Sequence, residues 1–292
     1  MNVLLTGGSG FIGKNILETM GDSYTFIAPR HRELDLLDEN AVEAFFQTHD
    51  VDVVVHSAVK PGHRNAKDPT NLFYEDTRMF FNLVRCSSLY RKMIVLSSGA
   101  AYDIRCDLRK VSEDFFGRHV PADEHGFFRY VSGKYIELAE NIVELRVFSI
   151  FGKYEDYAIR FISNAICKAV YGLPITLRQN RLFDYLYVND FAPVLDHFIQ
   201  NNPRHSTYNV TPDQAIELYV VAEKIRAISG KDLPILVGKA GTGLSYSGDN
   251  GRLREEIPNL SFTPIDTALK ELYDWYSDNS QLVNRDFLLY DK

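Results

Sequence analysis

The sequence predicts an α/β protein, a doubly wound parallel sheet with a smaller, interleaved C-terminal domain. Three observations carry that expectation. Short strand and helix patterns alternate from the first residues onward, the strands are apolar runs suited to burial on both faces, and a glycine-rich loop separates the first strand from the first helix.

Residues 3–6 form the first apolar strand, and Gly7-Gly8-Ser9-Gly10-Phe11-Ile12-Gly13 follows it. Ile12, Ile16 and Leu17 then recur at helical spacing. A second strand, residues 25–28, stops at Pro29. Residues 41–48 read as a helix and residues 51–56 as a buried strand with four valines. A helix over about 71–89 carries Leu72, Phe73, Phe80, Leu83 and Val84 as its apolar stripe. A strand at 93–97, a helix from about 130 to 141 and a strand at 144–148 continue the alternation. Beyond them, residues 159–170, 191–198, 217–228 and 265–276 read as helices and 182–188 as extended. Turn-rich Gly-Lys and Gly-Thr-Gly segments separate the last two helices.

The composition excludes several classes. Of 292 residues, 45% are hydrophobic and 24% charged, too apolar for a disordered chain. The 32 Lys+Arg against 39 Asp+Glu give a net charge of −7, so no nucleic-acid partner is expected. Cys86, Cys106 and Cys167 form no CxxC pair, which argues for a reducing compartment and against a cysteine zinc site. His119 and His125 lack metal-ligand spacing, so no metal is expected. No apolar run reaches the roughly 18–20 residues of a membrane span, and the first residues lack the basic region of a secretory signal. A cytoplasmic protein is expected.

Gly7, Gly10 and Gly13 make a GxxGxxG pattern after a strand and opening a helix. A dinucleotide needs that arrangement: a tight turn, close backbone approach to its pyrophosphate, and free N–H groups at the positive end of a helix. The expected domain is therefore Rossmann-type. Phe11 and Ile12, at the start of the helix, and Ala58, just past the third strand, are counted with the cofactor site. The second strand runs into Ala28-Pro29-Arg30-His31-Arg32. No acid stands at its tip to accept from a ribose 2′-hydroxyl, whereas Arg30 and Arg32 can meet a 2′-phosphate. NADP is expected, with NAD as the alternative.

Ser97-Ser98-Gly99-Ala100-Ala101-Tyr102 follows a buried strand, so its hydroxyls project at the carboxyl end of the sheet, where such folds bind ligands. Tyr130 and Lys134 are four apart and share one helix face. An ammonium near a phenol stabilises its phenolate, an arrangement suited to acid or base chemistry near neutral pH. His56 ends a buried strand and reads as a core histidine, and Tyr273, Trp275 and Tyr276 read as core aromatics.

With these motifs the chain resembles the extended short-chain dehydrogenase/reductase superfamily, in its nucleotide-sugar epimerase/dehydratase branch. The resemblance also draws on Leu145-Arg146-Val147-Phe148 with Phe151-Gly152, on residues 184–190 and on Tyr208-Asn209-Val210. It implies Tyr130 as acid/base on the sugar oxygen, Lys134 on the nicotinamide ribose, Ser98 hydrogen-bonding the reacting oxygen, and Asp35 and Leu36 against the adenine. Residues 30–36 and 57–65 look most like GDP-fucose synthases and related deoxysugar reductases, which use NADPH. That comparison puts His63 near the sugar and implies a homodimer built on the helices at about 71–89 and 130–141. Residues 1–152 with about 182–200 are expected to bind NADP, and about 153–181 with 201–292 to bind the substrate.

Four departures from the pattern bear on chemistry. The synthases' epimerising cysteine falls at Ala100 and their histidine at Arg160, which favours simple reduction. Asp76 stands where relatives usually carry Asn, and Lys153 follows Gly152 in place of Pro. Two arginines that often clamp the substrate diphosphate fall at Phe183 and Tyr246, so Arg178, Arg181 or Arg252 is expected to substitute. The expected function is NADPH-dependent reduction of a nucleotide-linked keto-deoxy sugar, at C-4. Two alternatives remain at this point: an NAD-dependent epimerase that retains its cofactor, and a non-catalytic dinucleotide sensor.

Overall fold

The computed structural model describes residues 1–61, 68 and 70–289. Its first half runs β1 (Asn2–Thr6), α1 (Phe11–Met20), β2 (Thr25–Ile27), α2 (Glu39–Thr48), β3 (Val53–His56), α3 (Leu72–Arg85), β4 (Lys92–Ser98), β5 (Leu108–Val111), α4 (Glu124–Ile136) and β6 (Ile142–Val147). Then come β7 (Ile150–Phe151), α5 (Phe161–Val170), β8 (Ile175–Asn180), β9 (Leu182–Phe183), β10 (Leu186–Tyr187), α6 (Phe191–Gln200) and β11 (Thr207–Val210). The last stretch is β12 (Ile216–Glu217), α7 (Leu218–Ser229), β13 (Ile235–Thr242), β14 (Tyr246–Gly248), α8 (Gly251–Glu256) and α9 (Ile265–Asp278).

Six strands form one parallel sheet in the order β2–β1–β3–β4–β6–β11. Successive side chains point to opposite faces, and both faces are covered. Val3, Leu5, Val53, Val55, Ile94 and Leu96 pack against Ile16 of α1 and Val194, Leu195 and Phe198 of α6. Leu4, Val54, Met93 and Val95 pack against Val42 and Phe46 of α2 and Phe80 and Leu83 of α3. Double coverage is why these strands read as continuous apolar runs. A second core joins α5, α7 and α9, with Ile166, Val221, Leu269 and Tyr276 at its centre and Tyr273 and Trp275 at its edge.

Three elements differ from the sequence expectation. Helix α4 begins at Glu124 rather than near 130, because the Asp123 side chain accepts from Gly126 N at 2.8 Å and caps it there. Strand β11 pairs with β6 and sends Tyr208 and Val210 into the first core, so residues 207–210 join the central sheet rather than the C-terminal unit. Strand β13 pairs with β8 where a turn-rich segment is expected; it is exposed along most of its length, so no buried face marks it in the sequence. Among the described residues no helix is long and apolar enough to cross a membrane.

The second core also encloses Glu155, which accepts a hydrogen bond from Ser163 Oγ. Burial pushes its carboxyl up to about 8, against the opposing pulls of Ser163 and of the Arg160 charge. The folded-state value lies above the unfolded one, so the stability contributed by the neutral acid is complete below the unfolded value of 4.5 and lost as pH rises toward 8. Thermal denaturation of Glu155→Gln is therefore expected to lose less melting temperature than wild type between about pH 5 and pH 8.

Candidate active site

The site begins where β1 and β3 end side by side. Thr6 Oγ1 accepts from Ser57 N and Ala58 N, both at 3.2 Å, and lies 2.9 Å from His56 Nδ1. Burial and then the Arg129 charge hold the His56 ring down at about 3, so it is a neutral core histidine. These contacts pin the switch point of the sheet, the place where open α/β sheets bind ligands. Gly7 has φ +74°, and a Cβ there would lie 2.8 Å from Ala58 N. A Cβ on Gly13 would lie 2.3 Å from Gly7 O. Helix α1 starts at Phe11 and Ile12 with Gly10 as its cap, no side-chain cap bond and no acid in its first turn. Its leading N–H groups and positive end are therefore open to an anion. This bare backbone cradle fits a dinucleotide pyrophosphate.

Past β2, Arg30 and Arg32 are exposed. Glu33 turns back to accept from Arg30 N at 2.8 Å and lies 3.6 Å from Arg32 Nε. Among the described residues no carboxylate lies within ion-pair distance of the Arg30 guanidinium. Asp35 accepts from Leu37 N at 2.9 Å, and the carbonyl of buried Leu36 accepts from Asn82 Nδ2 at 2.8 Å. The loop that would meet the adenosine end is thus shaped by its own hydrogen bonds and by one from Asn82 of α3.

Strand β4 delivers Ser98 to the carboxyl edge of the sheet. Its Oγ accepts from Ala100 N at 3.3 Å and caps the short turn Gly99–Tyr102. Helix α4 lies close over that turn, since a Cβ on Gly126 would come 3.0 Å from Ala100 O. Tyr130 is half-buried on α4, its ring 5.4 Å from Phe116. Lys134 Nζ is 6.0 Å from the Tyr130 ring centre and 4.8 Å from that of Phe116. Glu137 Oε2 accepts from the same ammonium at 2.9 Å.

Beneath the turn lies a buried network. Tyr102 donates to Asn209 Oδ1 at 2.6 Å and accepts from Arg146 Nη1 at 3.0 Å. Arg146 reaches Glu144 Oε2 through Nε at 2.9 Å and Nη2 at 2.7 Å. Asn209 Nδ2 donates to Val111 O at 2.9 Å and Asp249 O at 3.0 Å, while its N–H donates to Glu113 Oε1 at 2.7 Å. Burial pushes the Tyr102 phenol up to about 12 and works against the Arg146 charge, which Glu144 more than restores. The serine motif, Arg146 of the 145–148 motif and Asn209 of the 208–210 motif are therefore one hydrogen-bonded unit.

A cavity of about 490 Å³ opens beside β8, a size that suits a small-molecule ligand. Arg178, Arg181, Lys168 and Lys239 give it positive charge, and Asn164 and Phe183 add a polar and an aromatic wall. Arg181 Nε donates to Leu244 O at 2.7 Å, with its guanidinium 5.2 Å from the Phe183 ring centre. Arg252 is not in that cavity. It lies on α8, donating to Asp114 Oδ1 at 2.5 Å with Glu113 Oε2 at 3.7 Å, so two carboxylates already take its charge. His63 lies outside the described residues. Asn164, Lys168 and Lys239 belong to no motif that the sequence displays. Lys239 gave no signal because β13 shows no buried face, and Lys168 sits in a helix that reads as plain core. Phe183 and Tyr246 pair across β9 and β14 with ring centres 5.6 Å apart, and Tyr185 stacks on Phe183 at 5.8 Å.

Residues 3–211 match the NAD dependent epimerase/dehydratase family. The chain belongs to that family. It is accordingly an NAD(P)-dependent enzyme of nucleotide-sugar chemistry, as its motifs imply. A GDP-L-colitose synthase of Yersinia pseudotuberculosis is 24% identical over 257 residues, 79% of this chain and 83% of its own. A GDP-L-fucose synthetase from Naegleria fowleri bound to NADP shares the fold with a TM-score of 0.83 at 16% identity, over 96% of this chain and 93% of its own. A GDP-mannoheptose C4 reductase from Campylobacter jejuni with NADP bound gives 0.80 at 17% identity, over 94% and 98%.

Replacing Tyr102 by Phe would leave Arg146 Nη1 and Asn209 Oδ1 without their shared partner. Urea denaturation of Tyr102→Phe is expected to show a loss of about 1–3 kcal/mol; a change below a few tenths would show that the network carries little.

Proposed function

We propose that this protein is an NADPH-dependent reductase of a nucleotide-linked keto-deoxy sugar, reducing C-4 with Tyr130 as proton donor. The serine turn carries the choice of reduction over epimerisation. Buried Ala100 stands at the position of the epimerising cysteine of GDP-fucose synthases, and Arg160, the cap of α5, at that of their histidine. A methyl group moves no proton, and a guanidinium stays protonated near neutral pH.

The preference for NADP rests on Arg30 and Arg32, exposed beyond β2 with no acid at the strand tip. A 2′-phosphate can meet a guanidinium fork through two parallel N–H···O bonds. When bound, the nicotinamide supplies the hydride. Tyr130 gives its proton to the sugar oxygen, and the Ser98 hydroxyl hydrogen-bonds that oxygen as it gains negative charge. Lys134 stabilises the phenolate left behind and takes the ribose hydroxyls, which compete with Glu137 for its ammonium. The basic cavity takes the nucleotide diphosphate, with Arg178 and Arg181 as its anion contacts. A homodimer fits the exposed aromatic stripe of α3 and α4: Tyr74 and Tyr135 are exposed, and Phe73 stacks on Phe127 at 4.8 Å.

The test is NADPH oxidation on addition of a nucleotide-linked 4-keto-6-deoxy sugar. Tyr130→Phe is expected to lower turnover by about 10² or more while NADPH still binds; unchanged turnover would refute Tyr130 as donor. Arg30→Ala is expected to raise KM for NADPH several-fold and leave that for NADH unchanged. Equal effects on the two cofactors would contradict the 2′-phosphate contact.

A further inference from the structure

We propose that Arg129 is a positioning residue that sets the spacing between Ser98 and Tyr130, with Asp76 as its buried counter-charge. The inference rests on Ser98 and Tyr130 acting in the reduction described above. It joins two residues that no motif of the chain accounts for: an acid where relatives usually carry Asn, and an arginine directly before the tyrosine.

Arg129 and Tyr130 are consecutive on α4, so their side chains leave the helix about 100° apart. Tyr130 stays half-buried beside Phe116, while Arg129 turns inward and is only 5% exposed. Its Nη1 donates to Leu96 O at 3.0 Å. Leu96 lies on β4 two residues before Ser98, just past the last register pair with β3, Val95 opposite His56. On the other side of Ser98, Gly126 of α4 comes close to Ala100 O. Helix α4 therefore meets the serine segment once before Ser98 and once after it, and the guanidinium makes the first of these contacts.

A guanidinium keeps its proton in a protein, so a buried one needs an opposite charge. Burial works against the Arg129 charge, and two acids oppose that, Asp76 of α3 first and Glu144 of β6 second. Glu144 Oε2 is already taken by Nε and Nη2 of Arg146. Asp76 is 1% exposed, and its Oδ1 accepts from Lys60 N at 2.7 Å. Asp76 Oδ2 and Arg129 Nε are both buried and have no hydrogen-bond partner among the described residues. The attraction between them therefore acts across a gap in a medium that screens it poorly. Burial raises the Asp76 carboxyl, and the Lys60 N–H and then the Arg129 charge pull against that rise. An amide at position 76 would accept from Lys60 N equally well but would bring no charge. The acid in place of Asn thus answers the arginine in front of Tyr130. Through Lys60 N the same carboxylate holds the loop that follows Ala58.

The test is a double-mutant cycle of Asp76→Asn and Arg129→Met, read in urea unfolding and in turnover where every variant is folded. Asparagine keeps the acceptor for Lys60 N and removes the charge; methionine keeps an unbranched stem and removes the guanidinium. Asp76→Asn is expected to lower the urea midpoint clearly in the wild-type background and little in the Arg129→Met background. Additive effects on unfolding would overturn Asp76 as the counter-charge. Arg129→Gln, a neutral donor that needs no counter-charge, replaces Arg129→Met in the cycle if the latter does not fold. For the positioning role, Arg129→Met is expected to lower kcat about tenfold or more, with KM for NADPH little changed. Lost stability with kcat unchanged would make the arginine structural only and overturn that role. If wild type reduces no nucleotide-linked keto sugar, the reductase reading fails instead. The pair is then judged on the four unfolding free energies, where coupling supports it and additivity refutes it.

Discussion

The buried guanidinium of Arg146 is paired with a carboxylate, and much of this protein is arranged around that pair. Breaking such a pair by removing one partner costs about 3–5 kcal/mol, because a charge is left without water or counter-ion. Glu144 supplies the counter-charge from the same strand, and Tyr102 supplies the remaining acceptor from the turn that carries Ser98. Tyr102 then requires Asn209 as its own acceptor, and Asn209 requires the carbonyls of Val111 and Asp249. One electrostatic demand thereby links β6, the serine turn, the edge strand β11 and the segments that carry β5 and β14.

The consequence for chemistry is a site whose parts are joined by direct contacts. Ser98 sits at the end of a central strand, on a turn whose last residue belongs to the network, under a helix that approaches to backbone contact at Gly126. Tyr130 and Lys134 ride on that helix. The aromatic wall of Phe148, Tyr246, Phe183 and Tyr185 continues from the same turn toward the basic cavity. A net charge of −7 is compatible with anion binding, because Arg30 and the basic side chains of the cavity supply local positive charge.

What the sequence made legible is what local rules determine. The glycine loop is readable because its spacing is local: Gly13 is demanded by contacts within its own strand–loop–helix unit and Gly7 by its φ of +74°, although the neighbours that crowd Gly7, Ser57 and Ala58, lie past β3. The central strands are readable because burial on two faces leaves uniform apolar runs. Tyr130 and Lys134 are readable through their i, i+4 spacing, although the start of α4 is not, since it depends on the Asp123 cap rather than on apolar period. Arg252 could pass for a free cation in sequence because its partners Asp114 and Glu113 are more than a hundred residues away along the chain. The motifs at 97–102, 145–148 and 208–210 were visible as residues, but their mutual hydrogen bonds are long-range and leave no periodic trace. Strand β11 joins the central sheet for the same reason: its partner is β6, some sixty residues earlier.

Net reduction of a sugar ketone is tested most directly by following the hydride. With NADPH deuterated at the transferring position of its nicotinamide and a nucleotide-linked 4-keto-6-deoxy sugar, mass spectrometry and NMR of the product locate the label. Deuterium at C-4, with one NADPH oxidised for each sugar reduced, is the result expected here. A sugar converted without label and without net cofactor oxidation would contradict it, and would assign the protein to epimerisation with retained cofactor.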